Sequence, residues 1–399
     1  MSLAAIDGAL AGQKVLVTGA TGFIGGRLVE RLVLEHGAEV RALVRNLAGA
    51  ARLARFPPGS VTVLRGDVTD PADLETAMQG CDRVFHCAYG TSGSQKHRAW
   101  VNTEGTRRVL AAAQAARARR IVYLSTLMVY GQTGDGDLDE TAPRQRFGNP
   151  YSDSKLEAER IALSSGLPVA VIQPTAVYGP FGGVWTETVL RSLKAGRQIL
   201  INGGDGMANP VYVDDLVSAM LLAAVKEEAV GEAFLVSSAE PVTWREMFGR
   251  FERMLGGGDR TVDMTEAEAL AWWRKSQRAR PRLIGEGLRI VKGERDVRER
   301  LERTREGVWL REMASTVLPE SWQQKIKGRL AGGGRAGHSV DPDRELPIHP
   351  LPPKMIGFFR ARTRVRIDKA KRILGYRPAF DFETGMDLTE RWARWANLL

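Results

Sequence analysis

The stretch KVLVTGATGFIGGRLVERL, Lys14 to Leu32, constrains this chain more than any other. Val15 to Val17 form a β-favouring apolar run that reads as a buried strand. The chain then turns through Gly19, Gly22 and Gly25 and continues as an amphipathic helix with Ile24, Leu28 and Leu32 on one face. Glycines at those positions let the backbone lie against a ligand. The free N–H groups and positive dipole end of the helix N-terminus favour an anion there. Strand, glycine turn and helix in that order make the fingerprint of a dinucleotide diphosphate site.

The first half of the chain repeats the alternation of strand and helix. Strand patterns fall at Ala38 to Arg45, Val61 to Asp70, Asp82 to Tyr89, Arg120 to Gly131 and Pro168 to Gly179. Helical patterns fall at Pro71 to Met78, Asn102 to Ala118 and Pro150 to Leu163. Such alternation implies right-handed crossovers and a parallel sheet, with ligands beyond the carboxyl ends of its strands. After Gly179 the rhythm loosens. Trp185 to Ala195 reads as a helix, Val211 to Val225 as a helix entered through Asp214 and Asp215, and Glu232 to Ser238 as a short strand. From Thr265 to about Leu330 the chain reads as helical and Arg-rich, with Trp272, Trp273, Trp309 and Trp322. Ala331 to Pro347 reads as a linker.

The 399 residues suit one large or two modest domains. No run of eighteen apolar residues predicts a transmembrane helix, and the N-terminal segment does not read as a signal peptide. The two cysteines, Cys81 and Cys87, fit a reduced, cytoplasmic protein. The net charge of +10 is uneven: Trp272 to Glu306 carries twelve Lys/Arg against six Asp/Glu. That segment can be read as a cap over a cleft, a dimer element, a helix drawn to an anionic membrane surface, or a solvated helical arm. No nucleic-acid-binding module accompanies the charge.

These pieces together resemble the extended short-chain dehydrogenase/reductase superfamily, in its NAD-dependent epimerase/dehydratase branch. The matching segments are TGATGFIG (18–25), GDVTD (66–70), VNTEGT (101–106), LSTLMVYG (124–131), PYSDSK (150–155), QPTAVYGP (173–180), VYVDDL (211–216) and KRILGYRP (371–378). The resemblance implies a Rossmann-type doubly wound α/β fold with a smaller C-terminal substrate-binding lobe and a helical insertion. The dinucleotide-binding domain is expected over 12–180, the substrate lobe over 181–255 and 346–399, and the Arg/Trp-rich insertion with its linker over 256–345. A homodimer and a small-molecule substrate are expected.

Tyr151 and Lys155 stand four apart on one helix face. An ammonium beside a phenol favours the phenolate, so the pair can move a hydroxyl proton while hydride moves to or from a nicotinamide. The resemblance makes Thr126 the residue that bonds the substrate oxygen. It assigns the diphosphate turn to Gly19, Thr21, Gly22, Phe23, Ile24 and Gly25, the adenine to Asp67 and Val68, the ribose to Ala88 and Tyr89, and the nicotinamide to Pro174 and Val177. Ser125 adjoins the cofactor, and Asn102 lies near the active-site turns or serves as a helix N-cap. Arg45 ends the second strand where an acidic residue would hold the ribose hydroxyls. An arginine there suits a 2′-phosphate, which favours NADP(H) and leaves NAD(H) as the alternative. Gln173, Tyr178 and Asn209 are expected at the substrate with Thr126 and Tyr151.

Leu127 and Met128 replace the acid pair that follows this Thr in 4,6-dehydratases, which argues against elimination of water. Asn209 and Pro210, and Gln173, stand where nucleotide-sugar enzymes carry diphosphate-binding arginines. The reading therefore has three branches. The first is an oxidoreductase or epimerase of a sugar-like, nucleotide-linked substrate. The second is an NADPH-dependent ketone reductase resembling dihydroflavonol reductases and 3β-hydroxysteroid dehydrogenases. The third is a nucleotide-sensing scaffold.

Overall fold

The computed structural model describes residues 3–131, 133–278 and 346–399. The strands are β1 (Lys14–Thr18), β2 (Glu39–Val44), β3 (Val61–Arg65), β4 (Arg83–His86), β5 (Arg120–Leu124), β6 (Gly136–Leu138), β7 (Val169–Pro174), β8 (Ala176–Tyr178), β9 (Arg197–Ile201), β10 (Pro210–Tyr212), β11 (Ala233–Val236), β12 (Thr261–Met264), β13 (Ile348–His349) and β14 (Thr363–Val365). The helices are α1 (Leu3–Leu10), α2 (Phe23–Leu34), α3 (Pro71–Met78), α4 (Gln95–Ala115), α5 (Pro150–Leu163), α6 (Thr188–Ala195), α7 (Val213–Val225), α8 (Trp244–Met254), α9 (Glu266–Arg278), α10 (Pro353–Arg360) and α11 (Phe382–Trp395).

Seven strands make one sheet in the order β11-β7-β5-β4-β1-β2-β3, with every pairing parallel. Side-chain alternation divides the core between its two faces. Val15 and Val17 of β1, and Ala170 and Ile172 of β7, pack with α1, α2 and α7. Leu16, Val169 and Val171 pack on the other face with α3, α4 and α5. The direction of winding reverses between β1 and β4, and a doubly wound sheet opens its ligand crevice at that switch point.

A second lobe is built around the sheet β12-β9-β13 and the helices α6, α8, α9, α10 and α11. Trp244 lies at its centre, 1% exposed, with ring contacts to Trp185, Phe248, Phe358 and Phe359. Arg250 of α8 donates to Glu383, Asp387 and Glu390, which pins α11 against it.

The structure redraws several sequence boundaries. The sixth strand breaks at Thr175: β7 stays in the main sheet, while β8 pairs with β10. The main sheet does not end near residue 180. The chain leaves for 181–209 and returns, so that α7 packs with α2 and β11 pairs with β7. β12 and α9 sit in the second lobe, so residues 256–278 are part of it rather than of an insertion. The remaining insertion and linker, 279–345, lie outside the described residues. Helix α1, not expected from the sequence, buries Ile6 and Leu10 in the core layer that holds α7. Both cysteines are buried and free. No helix among the described residues is long and apolar enough to cross a membrane.

Trp244→Ala should destabilise the second lobe by about 3–5 kcal/mol through the cavity it leaves. The expected readout is a fall in the urea midpoint followed by tryptophan fluorescence.

Candidate active site

The glycine turn is fixed by two close approaches. Gly19 has φ +73°, and a Cβ there would lie 2.8 Å from the Ala88 nitrogen. A Cβ on Gly25 would lie 2.3 Å from the Gly19 carbonyl oxygen, so α2 can pack on the turn only with hydrogen at that position. Gly22 caps α2 without a side-chain bond, and the first turn of α2 carries no acidic residue. No side chain caps the first-turn N–H groups, and the helix dipole lies behind them, which fits a diphosphate. Thr21 and Gly22 are exposed. Phe23 and Ile24 pack inward, Phe23 on the second lobe and Ile24 on the main core.

Around this turn the strand ends bring together the other residues expected at a dinucleotide. Arg45, just past β2, is exposed and donates to the Thr91 hydroxyl at 3.2 Å. Asp67, past β3, accepts from the Thr69 nitrogen at 2.8 Å and hydroxyl at 2.7 Å. Val68 beneath it is buried. Ala88 donates its N–H to the Thr18 hydroxyl at 3.3 Å. Tyr89 is exposed and sets its ring edge-on to Tyr151 at 6.0 Å. Ser125 just past β5, Pro174 at the end of β7 and Val177 within β8 continue the line. These residues fit a dinucleotide stretched across the sheet from Asp67 to Pro174.

Helix α5 begins at Asn149, whose side chain accepts from the Tyr151 nitrogen at 3.0 Å, with Pro150 as its first residue. That start places Tyr151 near Thr126, whose hydroxyl favours the ionised phenol. Thr126 also accepts from the Met128 nitrogen, starting the short turn Leu127–Tyr130. One helical turn on, the buried Lys155 ammonium donates to the Leu124 carbonyl at 2.7 Å and lies 5.0 Å over the Tyr123 ring.

Burial acts on both titrating groups. It pushes the Tyr151 phenol up to about 12, with Tyr89 adding to the push and the Thr126 hydroxyl opposing it. It pulls Lys155 down to about 8, with Cys87 and Glu159 resisting. The sequence suggested an ammonium that lowers the phenol. In the fold the Lys155 ammonium donates to a strand carbonyl, and desolvation sets the direction of the Tyr151 shift.

The residues expected at the substrate divide. Thr126 and Tyr151 meet. Gln173 is fully buried, giving its amide N–H to Glu159 at 2.9 Å and accepting from the Tyr130 hydroxyl at 2.9 Å. Tyr178 is 2% exposed and donates to the Phe382 carbonyl. Asn209 donates to the Thr363 carbonyl at 2.8 Å and accepts from the Val365 nitrogen at 3.2 Å, which ties β14 in place. These three polar ends are used within the fold.

Asn102 is not an N-cap. Helix α4 starts seven residues earlier, capped by Ser94. Asn102 accepts from the Gly90 nitrogen and donates to Ser154, each at 2.8 Å, and Ser154 donates to the Tyr151 carbonyl at 2.8 Å. It thereby links the loop after β4 to the start of α5. Beneath it, His86 bonds Thr18 at 2.8 Å and Thr106 at 3.1 Å. Burial drives the imidazole down to about 3, so it is neutral.

Sequence reasoning missed Glu159, Ser154, Asn149 and His86. Glu159 alone carried a signal, being one further turn along the Tyr151–Lys155 face.

The model of the NAD dependent epimerase/dehydratase family matches residues 15–237. The chain belongs to this family. A 2-alkyl-3-oxoalkanoate reductase of Shewanella oneidensis is 30% identical over 254 residues, which are 59% of this chain and 64% of that protein. The match thus spans just under two thirds of that relative. A 3-beta-hydroxysteroid dehydrogenase of Mycolicibacterium neoaurum is 31% identical over 253 residues, 58% of this chain and 68% of that one. Among solved structures, a dTDP-glucose 4,6-dehydratase of Bacillus anthracis in complex with NAD aligns with TM-score 0.64 at 18% identity, covering 97% of this chain and all of that one. At that identity the likeness establishes the family's fold.

Gly25→Ala should weaken binding of reduced nicotinamide dinucleotide about tenfold or more, because its methyl would displace the Gly19 carbonyl. Titration of nicotinamide fluorescence measures it.

Proposed function

We propose that the chain is an NADP(H)-dependent oxidoreductase that interconverts a ketone and a secondary alcohol on an apolar substrate. The observation that carries this reading is the buried Lys155 ammonium, bonded to the Leu124 carbonyl one helical turn from Tyr151, with Thr126 near the phenol and Leu127 and Met128 immediately following Thr126. The bound nicotinamide would supply or accept the hydride. The Tyr151 phenol, protonated at neutral pH, gives its proton to the ketone oxygen in reduction and takes it back in oxidation. The Thr126 hydroxyl holds the same oxygen. Lys155 beneath stabilises the charge left on the phenol. Arg45, with no acidic residue at the end of β2, supports the 2′-phosphate and hence NADP(H).

A nucleotide-linked sugar is the less supported substrate. Ala208, Asn209 and Pro210 offer no cation for a diphosphate, and Gln173, Tyr178 and Asn209 are occupied within the fold. Leu127 and Met128 offer no acid or base for a dehydratase. The two curated relatives described above are, by their names, a reductase and a dehydrogenase of oxo and hydroxyl groups on apolar carbon frames, which supports the same reading.

NADPH absorbance should fall stoichiometrically with an apolar 3-oxo acid or 3-ketosteroid and stay constant with UDP- or dTDP-sugars. Epimerisation of a sugar nucleotide without loss of NADPH would overturn the proposal. Tyr151→Phe should lower kcat by roughly 10²–10⁴-fold. Reductive turnover should decline as pH rises through about 8, where Lys155 loses its proton. Arg45→Asp should raise KM for NADPH about tenfold or more while sparing NADH.

A further inference from the structure

Tyr151, Lys155 and Glu159 occupy successive turns of α5 on the face turned to the sheet. The third is the most enclosed: Glu159 is 0% exposed and Lys155 3%. A carboxylate so placed is costly unless it is bonded and paired. Glu159 is both. It accepts from the Ser125 hydroxyl and from Gln173 Nε2, and its Oε1 lies 3.0 Å from Arg144 Nε. Ser125 directly precedes Thr126. The carboxylate therefore touches the strand end that presents the substrate-binding hydroxyl.

Lys155 has the converse problem. Its ammonium is buried against a neutral carbonyl and an aromatic face. The titratable groups facing it are Cys87 and His86 from β4 and the loop after it, Tyr123 from β5, Tyr89, and Tyr151 and Glu159 from its own helix. Burial keeps four of these neutral: Cys87, Tyr123 and Tyr151 are pushed up, and His86 down. Glu159 is the carboxylate in that set. Its own neighbours are Arg144, Ser125, Gln173 and Tyr130, with Tyr123 beyond.

We propose that Glu159 is a positioning residue whose buried carboxylate, held by Ser125, Gln173 and Arg144, supplies the negative charge that maintains Lys155 as an ammonium beneath Tyr151. This rests on the catalytic reading of Lys155 and deepens it. Burial pushes the Glu159 carboxyl up, and Ser125, Gln173, Lys155 and Arg144, which approaches from the loop before α5, all act against that push in favour of the ionised form. Gln173, expected at the substrate, gains its role here instead, as the neutral donor on the same oxygen that faces Arg144.

The test reads Lys155 directly. Protein labelled with ¹³C at lysine Cε gives a titration curve for each lysine, and Lys155→Met assigns the relevant one. Glu159→Gln should lower the Lys155 midpoint by about one pH unit or more. Glu159→Asp, which retains the charge, should restore most of the shift. Tyr130→Phe, which removes a neutral bond from the same network, should leave the midpoint alone. If Glu159→Gln does not fold, Glu159→Met with Arg144→Met removes the ion pair as a unit, and the midpoint should still fall. A Lys155 midpoint within about 0.3 units of wild type in Glu159→Gln, or in the double variant, would overturn the proposal. The alkaline limb of the turnover profile should move down with the midpoint. Were the midpoint to move without that limb, the Glu159–Lys155 coupling would stand and the catalytic reading of Lys155 would fall.

Discussion

The bond from the Lys155 ammonium to the Leu124 carbonyl joins the two elements on which the site depends. It fixes helix α5 to the carboxyl end of β5 and thereby sets Tyr151 beside Thr126. Its surroundings are dry, so each group nearby must be either bonded or neutral. The structure meets that requirement with a graded set of partners. His86 stays neutral between two threonines. Asn102 uses both ends of its amide to join Gly90 to Ser154. Glu159 gathers Ser125, Gln173 and Arg144. Phenol and ammonium then sit in surroundings that displace both from their ordinary titration ranges, as sites for proton transfer commonly do.

Much of this was legible in the order of residues. The glycine turn required a strand before it and a helix after it, and β1 and α2 follow that requirement. The i, i+4 spacing of Tyr151 and Lys155 put them on one helix face, and the fold turns that face to the sheet. The family assignment followed from motifs spread along the chain, and the match over residues 15–237 agrees with it.

What could not be read is where long-range partners decide. Gln173, Tyr178 and Asn209 are polar and stand within or beside familiar motifs, so they looked like ligand contacts. Their partners, Glu159, the Phe382 carbonyl and the Thr363 carbonyl, are fourteen to two hundred residues away and carry no local signal. The direction of the Tyr151 shift was equally hidden. Spacing reveals the ammonium, while the surroundings of the phenol depend on Thr126 after β5 and Tyr89 after β4, which come from distant parts of the chain. The boundary near residue 180 failed for a related reason. A loosened rhythm marked the departure of the chain from the main sheet, and nothing local marked the return of α7 and β11 to it.

That departure and return also decide how the two lobes are joined. The outgoing strand β8 and the incoming strand β10 are paired side by side, Ala176 with Pro210 through Tyr178 with Tyr212. The excursion between them is thus closed at its base by a two-stranded seam. Residues 181–209 carry α6 and β9, on which the second lobe is built, so that seam anchors the second lobe to the main sheet. A shift of the second lobe would in this way be felt at Val177 in β8 and, through Thr175, at Pro174 at the end of β7.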